Sequence, residues 1–289
     1  MRTYEGQSPI MEIPHRRMKH IRVIVFFASI LVLLSGCAAQ QNNLLYSTLW
    51  VQSAAEYKAN CLQTYNMAAK NIDSAIHDKG WTAAVEQRGD FSSLPPAVVM
   101  DIDETVLENS RYQARLIIEG TGFDPRTWDE WIALKSAPAV PGAVSFIKCL
   151  REKNVEVFFI TNRECAPRAG TNCPCPQEQE TIDNLAGIGI DGVKPEHVLM
   201  QNERPGWGSE KKSRREVITA GYRVLMLVGD DLGDFLPHVK KDITPRQRDE
   251  LVRQYERCWG RTWYMLSNPV YGSWLRVLKD PKSSHLVGY

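Results

Sequence analysis

Four short apolar runs, each parted from the next by a helical stretch, constrain this chain most. Pro96 to Met100 ends at Asp101, and Val155 to Ile160 ends at Thr161-Asn162. Val198 to Met200 is the third, and Tyr222 to Val228 ends at Gly229-Asp230-Asp231. Runs of this length without polar alternation are strands buried on both faces. Helical patterns over Ala143–Lys153, Gln177–Leu185 and Ser213–Ala220 lie among them. Strands alternating with helices predict an α/β fold, Rossmann-like, with a central parallel sheet covered by helices. Ahead of the sheet, Leu44 to about Asp78 predicts one helix, because apolar residues recur near a 3.6 period and no Gly or Pro interrupts them.

In such sheets ligands bind at the carboxyl ends of the strands. There the sequence puts Asp101 and Asp103, then Thr161 and Asn162, then Asp230, Asp231 and Asp234. One acidic strand end would read as a helix cap. Three distant strand ends with polar chemistry, two of them acidic clusters, point to one site instead.

The 289 residues are 43% hydrophobic and 24% charged, the balance of a globular protein, and the formal charge of +1 gives no basic field for nucleic acid. The first 36 residues read as an address rather than as fold. His15, Arg16, Arg17, Lys19, His20 and Arg22 form a basic stretch, and Val23 to Leu34 is apolar but too short to span a bilayer. Leu34-Ser35-Gly36-Cys37 resembles a bacterial lipobox, which makes Cys37 the lipidated residue and the membrane a partner through a lipid anchor. Ala38 rather than Asp after that cysteine favours, by analogy, the outer membrane; Met18 is a second candidate start. Residues 37–43 are then a tether, 44–95 a helical region on the core, and 96–289 the core itself. Export would expose Cys165, Cys173 and Cys175, in one Pro/Gly-rich loop, to an oxidising compartment; a stapling disulfide is expected, its pairing open.

Paired carboxylates with few histidines suit a hard cation such as Mg2+. A carboxylate can also attack phosphorus directly, provided a metal and a lysine offset the repulsion between two anions. Thr161 offers a hydroxyl, and Lys211 or the adjacent Lys212 offers the charge. Competing designs are absent: there is no Cys-x5-Arg loop, no Arg-His-Gly triplet, no Walker A loop and no Gly-x-Ser-x-Gly.

Asp101-Ile102-Asp103-Glu104-Thr105-Val106 resembles the first motif of the haloacid dehalogenase (HAD) superfamily. Thr161-Asn162-Arg163 resembles its second, Lys211 its third, and Gly229 to Phe235 (GDDLGDF) its fourth. With the lipobox, WVQSAAEYKA (50–59), DIDETVLENS (101–110) and NPVYGSW (268–274), the chain resembles the class C acid phosphatases over nearly its whole length beyond residue 36. The resemblance implies an HAD core with a small, mainly helical cap inserted at about 109–140, and Mg2+-dependent hydrolysis of phosphomonoesters through an aspartyl-phosphate.

It implies Asp101 as nucleophile and Asp103 as general acid, then base. The metal would be held by Asp101, the backbone carbonyl of Asp103 and Asp230, with Asp234 orienting its water. Thr161, Asn162 and Lys211 would cradle the phosphate, the lysine chosen by a Lys-x-x-Arg-Arg pattern. Asp231 takes a lesser role, and Glu108 replaces a more usual Asp. Tyr271, with Tyr112, Trp128 and Trp131 in the insertion, could stack on a nucleobase, so 5′-nucleotides and aryl phosphates lead as substrates, at mildly acidic pH. The remaining arginines and lysines read as solvated surface. Homo-oligomer formation stays open. The alternative is a catalytically silent surface lipoprotein or adhesin that keeps the fold.

Overall fold

The computed structural model describes residues 44–288. The chain divides into two units, Met1–Tyr46 and Ser47–Tyr289, and the second holds every strand and helix named below. The signal-like segment and Cys37 lie outside the described residues.

Five parallel strands form one sheet in the order β3-β2-β1-β4-β5: β1 Pro96–Met100, β2 Glu156–Glu164, β3 Val198–Gln201, β4 Arg223–Gly229 and β5 Trp263–Met265. All seven residues of β4 and four of the five in β1 are buried. This is why their sequences run apolar without alternation. Helices α1 Ala55–His77, α2 Ser110–Glu119, α3 Pro125–Ala133, α4 Ala143–Glu152, α5 Pro176–Gly187, α6 Lys212–Gly221, α7 Pro245–Gln254 and the single turn α8 Ser273–Arg276 precede, connect and follow the strands. Strand β1 is central, so its carboxyl end opens between those of β2 and β4 and the motifs meet there.

Long α1 packs on α4 through Tyr65 and Phe146, whose ring centroids are 5.5 Å apart. Gly142 precedes α4 with φ 93°, and a Cβ there would lie 3.0 Å from the Tyr65 ring. The turn and the close approach therefore both require glycine. On the other side, Trp81 Nε1 donates to Leu225 O and Trp263 Nε1 to Ala83 O (2.8 and 2.7 Å), which ties the 81–87 segment to the sheet and to the core around Trp263 and Phe235.

The structure corrects several expectations. The first helix is not continuous: it breaks at Ala54, which is extended (φ −73°, ψ 129°). Ser53 Oγ bonds back to the Leu49 carbonyl, and the break sets Trp50 edge-on to Tyr57 with centroids 5.4 Å apart. No Gly or Pro marks this break; the Ser53 back-bond to the preceding turn is the local feature that accompanies it. Strand β2 continues past Ile160 to Glu164, where Glu164 pairs with Gln201 after a register shift. Thr161 and Asn162 thus lie in an irregular strand end, the kind of bulge that re-aims side chains.

Four arginines are not on the surface: Arg163, Arg214, Arg215 and Arg223 are each at most 1% exposed. Arg163 and Arg215 are paired with carboxylates, while Arg214 and Arg223 donate to neutral carbonyl and amide oxygens. Arg215 grips Glu86 through Nε (3.1 Å) and Nη2 (2.6 Å). Arg223 caps α1 by donating to the carbonyls of Ala75, Ile76 and Asp78 at 3.1, 2.8 and 2.6 Å, where the helix end carries negative partial charge.

The insertion leaves and returns at one point. Leu107 bridges Ala139, and Glu108 N–H donates to Pro138 O at 2.8 Å. Between them lie α2 and α3. Asp124 caps α3, and Arg168 pairs with Asp129 on it at 2.7 Å. Cys165 and Cys175 form the loop disulfide, and Cys173 is free and exposed.

Candidate active site

After β1 the chain folds tightly on itself. Asp101 N–H donates to Val228 O (2.9 Å), and the N–H groups of Val106 and Leu107 both donate to Ile102 O (2.8 and 2.9 Å). Glu104 sits in this loop at φ 60°, an uncommon conformation for glutamate. Asn109 Nδ2 (3.0 Å) and the Tyr271 hydroxyl (2.8 Å) hold its carboxyl there. Burial pushes that carboxyl up to about 8, against the pull of those two bonds.

Carboxylate oxygens of Asp101, Asp230 and Asp234 lie within 4.8 Å of one another. Lys211 Nζ reaches into the group, contacting Asp101 Oδ1 and lying 2.6 Å from Asp234 Oδ1. Burial raises the Asp101 carboxyl to about 6; Lys211 opposes this, while Asp234 and Asp103 add to it. Asp230 is raised well above the carboxylate range by burial and then by Asp101 and Asp234. Lys211 keeps its charge: burial works against it, but the two aspartates outweigh burial.

Three carboxylates against one ammonium leave excess negative charge in a buried place. An all-oxygen donor set without His or Cys fits a hard divalent cation. Gly229 makes the approach possible, since a Cβ on it would meet the Asp234 carboxylate at 2.2 Å. Asp234 Oδ2 in turn accepts from Asp231 N–H (2.9 Å). Asn268 Nδ2 donates to Asp230 (2.8 Å) and fixes its direction.

The profile of the family described as "HAD superfamily, subfamily IIIB (Acid phosphatase)" matches residues 34–274. The chain belongs to this family of acid phosphatases. Two solved structures of the class C acid phosphatase from Bacillus anthracis, one with tungstate bound, are 30% identical to it. Each has a TM-score of 0.71 and covers 86% of this chain and 98% of its own. A stem 31 kDa glycoprotein of Glycine max is 26% identical over 140 residues, 48% of this chain and 51% of that protein, so the match spans about half of the soybean protein. The chain is a phosphomonoesterase of the HAD acid phosphatases.

Within this acid phosphatase most of the expected residues converge. Asp101, Asp103, Asp230, Asp234, Thr161 and Lys211 meet at the ends of β1, β2 and β4. Of the two candidate lysines, Lys211 is the one that enters the acid cluster, while Lys212 is half-buried and pairs with Glu216 on its own helix. Asn162 differs from expectation in its side chain, which is exposed: Oδ1 accepts from Arg214 (2.8 Å) and Nδ2 donates to Ser209 O (3.1 Å). It braces the loop that carries Lys211. Tyr271 lies at the acid cluster, its hydroxyl committed to Glu104.

Asp231 is structural. It accepts from Gly233 N–H (2.8 Å), Ser273 N–H (2.6 Å) and Ser273 Oγ (2.7 Å), and these bonds hold its carboxyl low despite burial. Trp131 Nε1 donates to Asn109 Oδ1 (2.8 Å), so this insertion tryptophan is a buried brace. The sequence left Asn109, Arg163 and Asn268 without roles. Each stands in or beside a quoted motif, which was the only signal.

Proposed function

We propose that this phosphatase hydrolyses 5′-nucleotides and aryl phosphates with bound Mg2+, through an aspartyl-phosphate on Asp101, from a lipid anchor at Cys37 on the bacterial cell envelope, in the outer membrane. The observation that carries the chemistry is Lys211 joining Asp101 to Asp234 beside Asp230. Asp101 and Asp230, with the Asp103 carbonyl, would hold the ion and Asp234 would orient its water; when bound, the ion would offset the charge of the carboxylates and the incoming phosphate. Lys211 holds Asp101 in line and adds positive charge where the phosphoryl oxygens gather.

Asp101 Oδ attacks phosphorus and the bond to the leaving oxygen breaks. Asp103 gives that oxygen its proton, because an alkoxide leaves poorly. Asp103, now ionised, takes a proton from water, whose oxygen attacks phosphorus and frees Asp101. Thr161 and Lys211 face the phosphate, and the Tyr271 ring supports an aromatic leaving group. The Bacillus anthracis enzyme's binding of tungstate, a tetrahedral oxyanion like phosphate, supports an oxyanion site here. The anchor rests on residues 15–37 alone.

The test is turnover of p-nitrophenyl phosphate and a 5′-nucleotide by the chain from Ala38, with Mg2+ and with EDTA, beside Asp101→Asn. Metal-dependent turnover lost in the variant is expected. Turnover that survives either EDTA or Asp101→Asn would refute the proposal.

A further inference from the structure

Asp103 is held by more than its own loop. Arg163, which is 1% exposed, reaches it from β2. Asp103 Oδ1 accepts from Arg163 Nη2 (2.8 Å), Arg163 Nε (3.1 Å) and Asn109 Nδ2 (3.0 Å). Oδ2 has longer contacts only: Arg163 Nε at 3.2 Å and Thr161 Oγ1 at 3.5 Å. The far side of the guanidinium is anchored too. Nη1 donates to Thr181 Oγ1 on α5 (3.0 Å), and the group lies 5.9 Å from the centroid of Trp128 on α3.

A carboxylate oxygen has two in-plane lone pairs. The bonds from Arg163 Nη2 and Asn109 Nδ2 fill both lone pairs of Oδ1, whereas the single Nε hydrogen is shared between the two oxygens, so Oδ2 is the one that keeps a lone pair for a proton. We propose that Arg163, with Asn109, is a positioning residue that selects Oδ2 of Asp103 as the atom that gives and takes the proton and points it at the leaving oxygen. The inference rests on Asp103 being the general acid. A flexible Asp with two equivalent oxygens would carry its proton on either and reach the leaving group in a fraction of its rotamers. The bidentate grip removes that freedom in advance. The insertion then takes part in the site, because Trp128 flanks the arginine that aims the acid.

The leaving group separates aiming from folding. A p-nitrophenolate departs without a proton, whereas the alkoxide of β-glycerol phosphate does not. We would measure kcat/KM, which reports steps through leaving-group departure, for both substrates in the Mg2+-loaded enzyme, Asp103→Asn, Arg163→Ala, Arg163→Lys and the double variant Asp103→Asn/Arg163→Lys. Arg163→Lys keeps the charge and the aliphatic stem and loses the two-pronged grip, so it answers the question if Arg163→Ala does not fold.

Asp103→Asn is expected to lose about 10²–10⁴-fold on the alkyl substrate and far less on the aryl one. Arg163→Lys is expected to show the same bias at about 10–100-fold, and to add nothing to Asp103→Asn in the double variant. Equal losses on both substrates in folded Arg163→Lys, with Asp103→Asn still selective, would overturn the inference while leaving Asp103 as the acid. No selectivity in Asp103→Asn would overturn the acid assignment itself, and the inference with it.

Discussion

At the scale of single residues, adjacent positions have opposite fates. Lys211 enters the acid cluster and Lys212 points along its own helix to Glu216. Lys211→Ala should therefore lower kcat by about 10²–10³, the usual cost of removing one preorganised donor to a developing oxyanion. Lys212→Ala should stay within about twofold, since exposed pairs of this kind are worth little. Steady-state assays of the two variants check this. Gly229→Ala is the sharper case. Its new methyl would occupy the place of the Asp234 carboxylate. The expected outcome is a loss of at least about 100-fold in kcat/KM, a displacement of about 1 Å being enough. The aspartates and Thr161 were legible in the sequence because their chemistry stands at the ends of apolar runs; the lysine was legible only through the Lys-x-x-Arg-Arg pattern of the resemblance. Arg163 was not: nothing in a string of letters distinguishes an arginine that grips Asp103 from one in water.

At the scale of elements, the strands could be read because parallel strands buried on both faces leave an uninterrupted apolar record. Strand β5 left none, since Trp263–Met265 is three residues long and makes sense only beside β4. The break at Ala54 was hidden because no Gly or Pro marks it: a Ser53 back-bond and the Trp50–Tyr57 contact stand at it, and neither interrupts the helical period in the sequence. Burial of Arg215 against Glu86 ties α6 to the segment after α1. Removing one partner leaves an uncompensated buried charge, so Glu86→Ala should lower unfolding stability by about 3–5 kcal/mol. Urea unfolding gives the value, and replacing the exposed partner Glu216 by Ala should change stability by less than about 1 kcal/mol.

At the scale of the whole molecule, charge at the sheet's carboxyl end couples stability to pH and to metal. In the metal-free chain Asp101 and Asp230 hold protons in the folded state that the unfolded chain releases at lower pH. The folded state binds more protons, so stability falls as pH rises from the unfolded carboxylate value near ~4 through about 6 for Asp101. A divalent cation in the cluster removes this penalty. The rise in Tm on adding Mg2+ should thus be larger at pH 7.5 than at pH 5, by about 2–4 °C for each kcal/mol regained. A Mg2+ effect independent of pH would count against the cluster as the site.

The proposed mechanism depends above all on transfer of the phosphoryl group to Asp101. Asp103→Asn slows the attack of water but spares departure of a good leaving group, so a phosphorylated enzyme should build up on p-nitrophenyl phosphate. Acid quenching, digestion and mass spectrometry of that variant should find one phosphoryl group on the peptide containing Asp101, absent when Asp101 is also replaced by Asn. Continued turnover with no phosphoryl group there, or with it on another residue, would rule out Asp101 as the nucleophile.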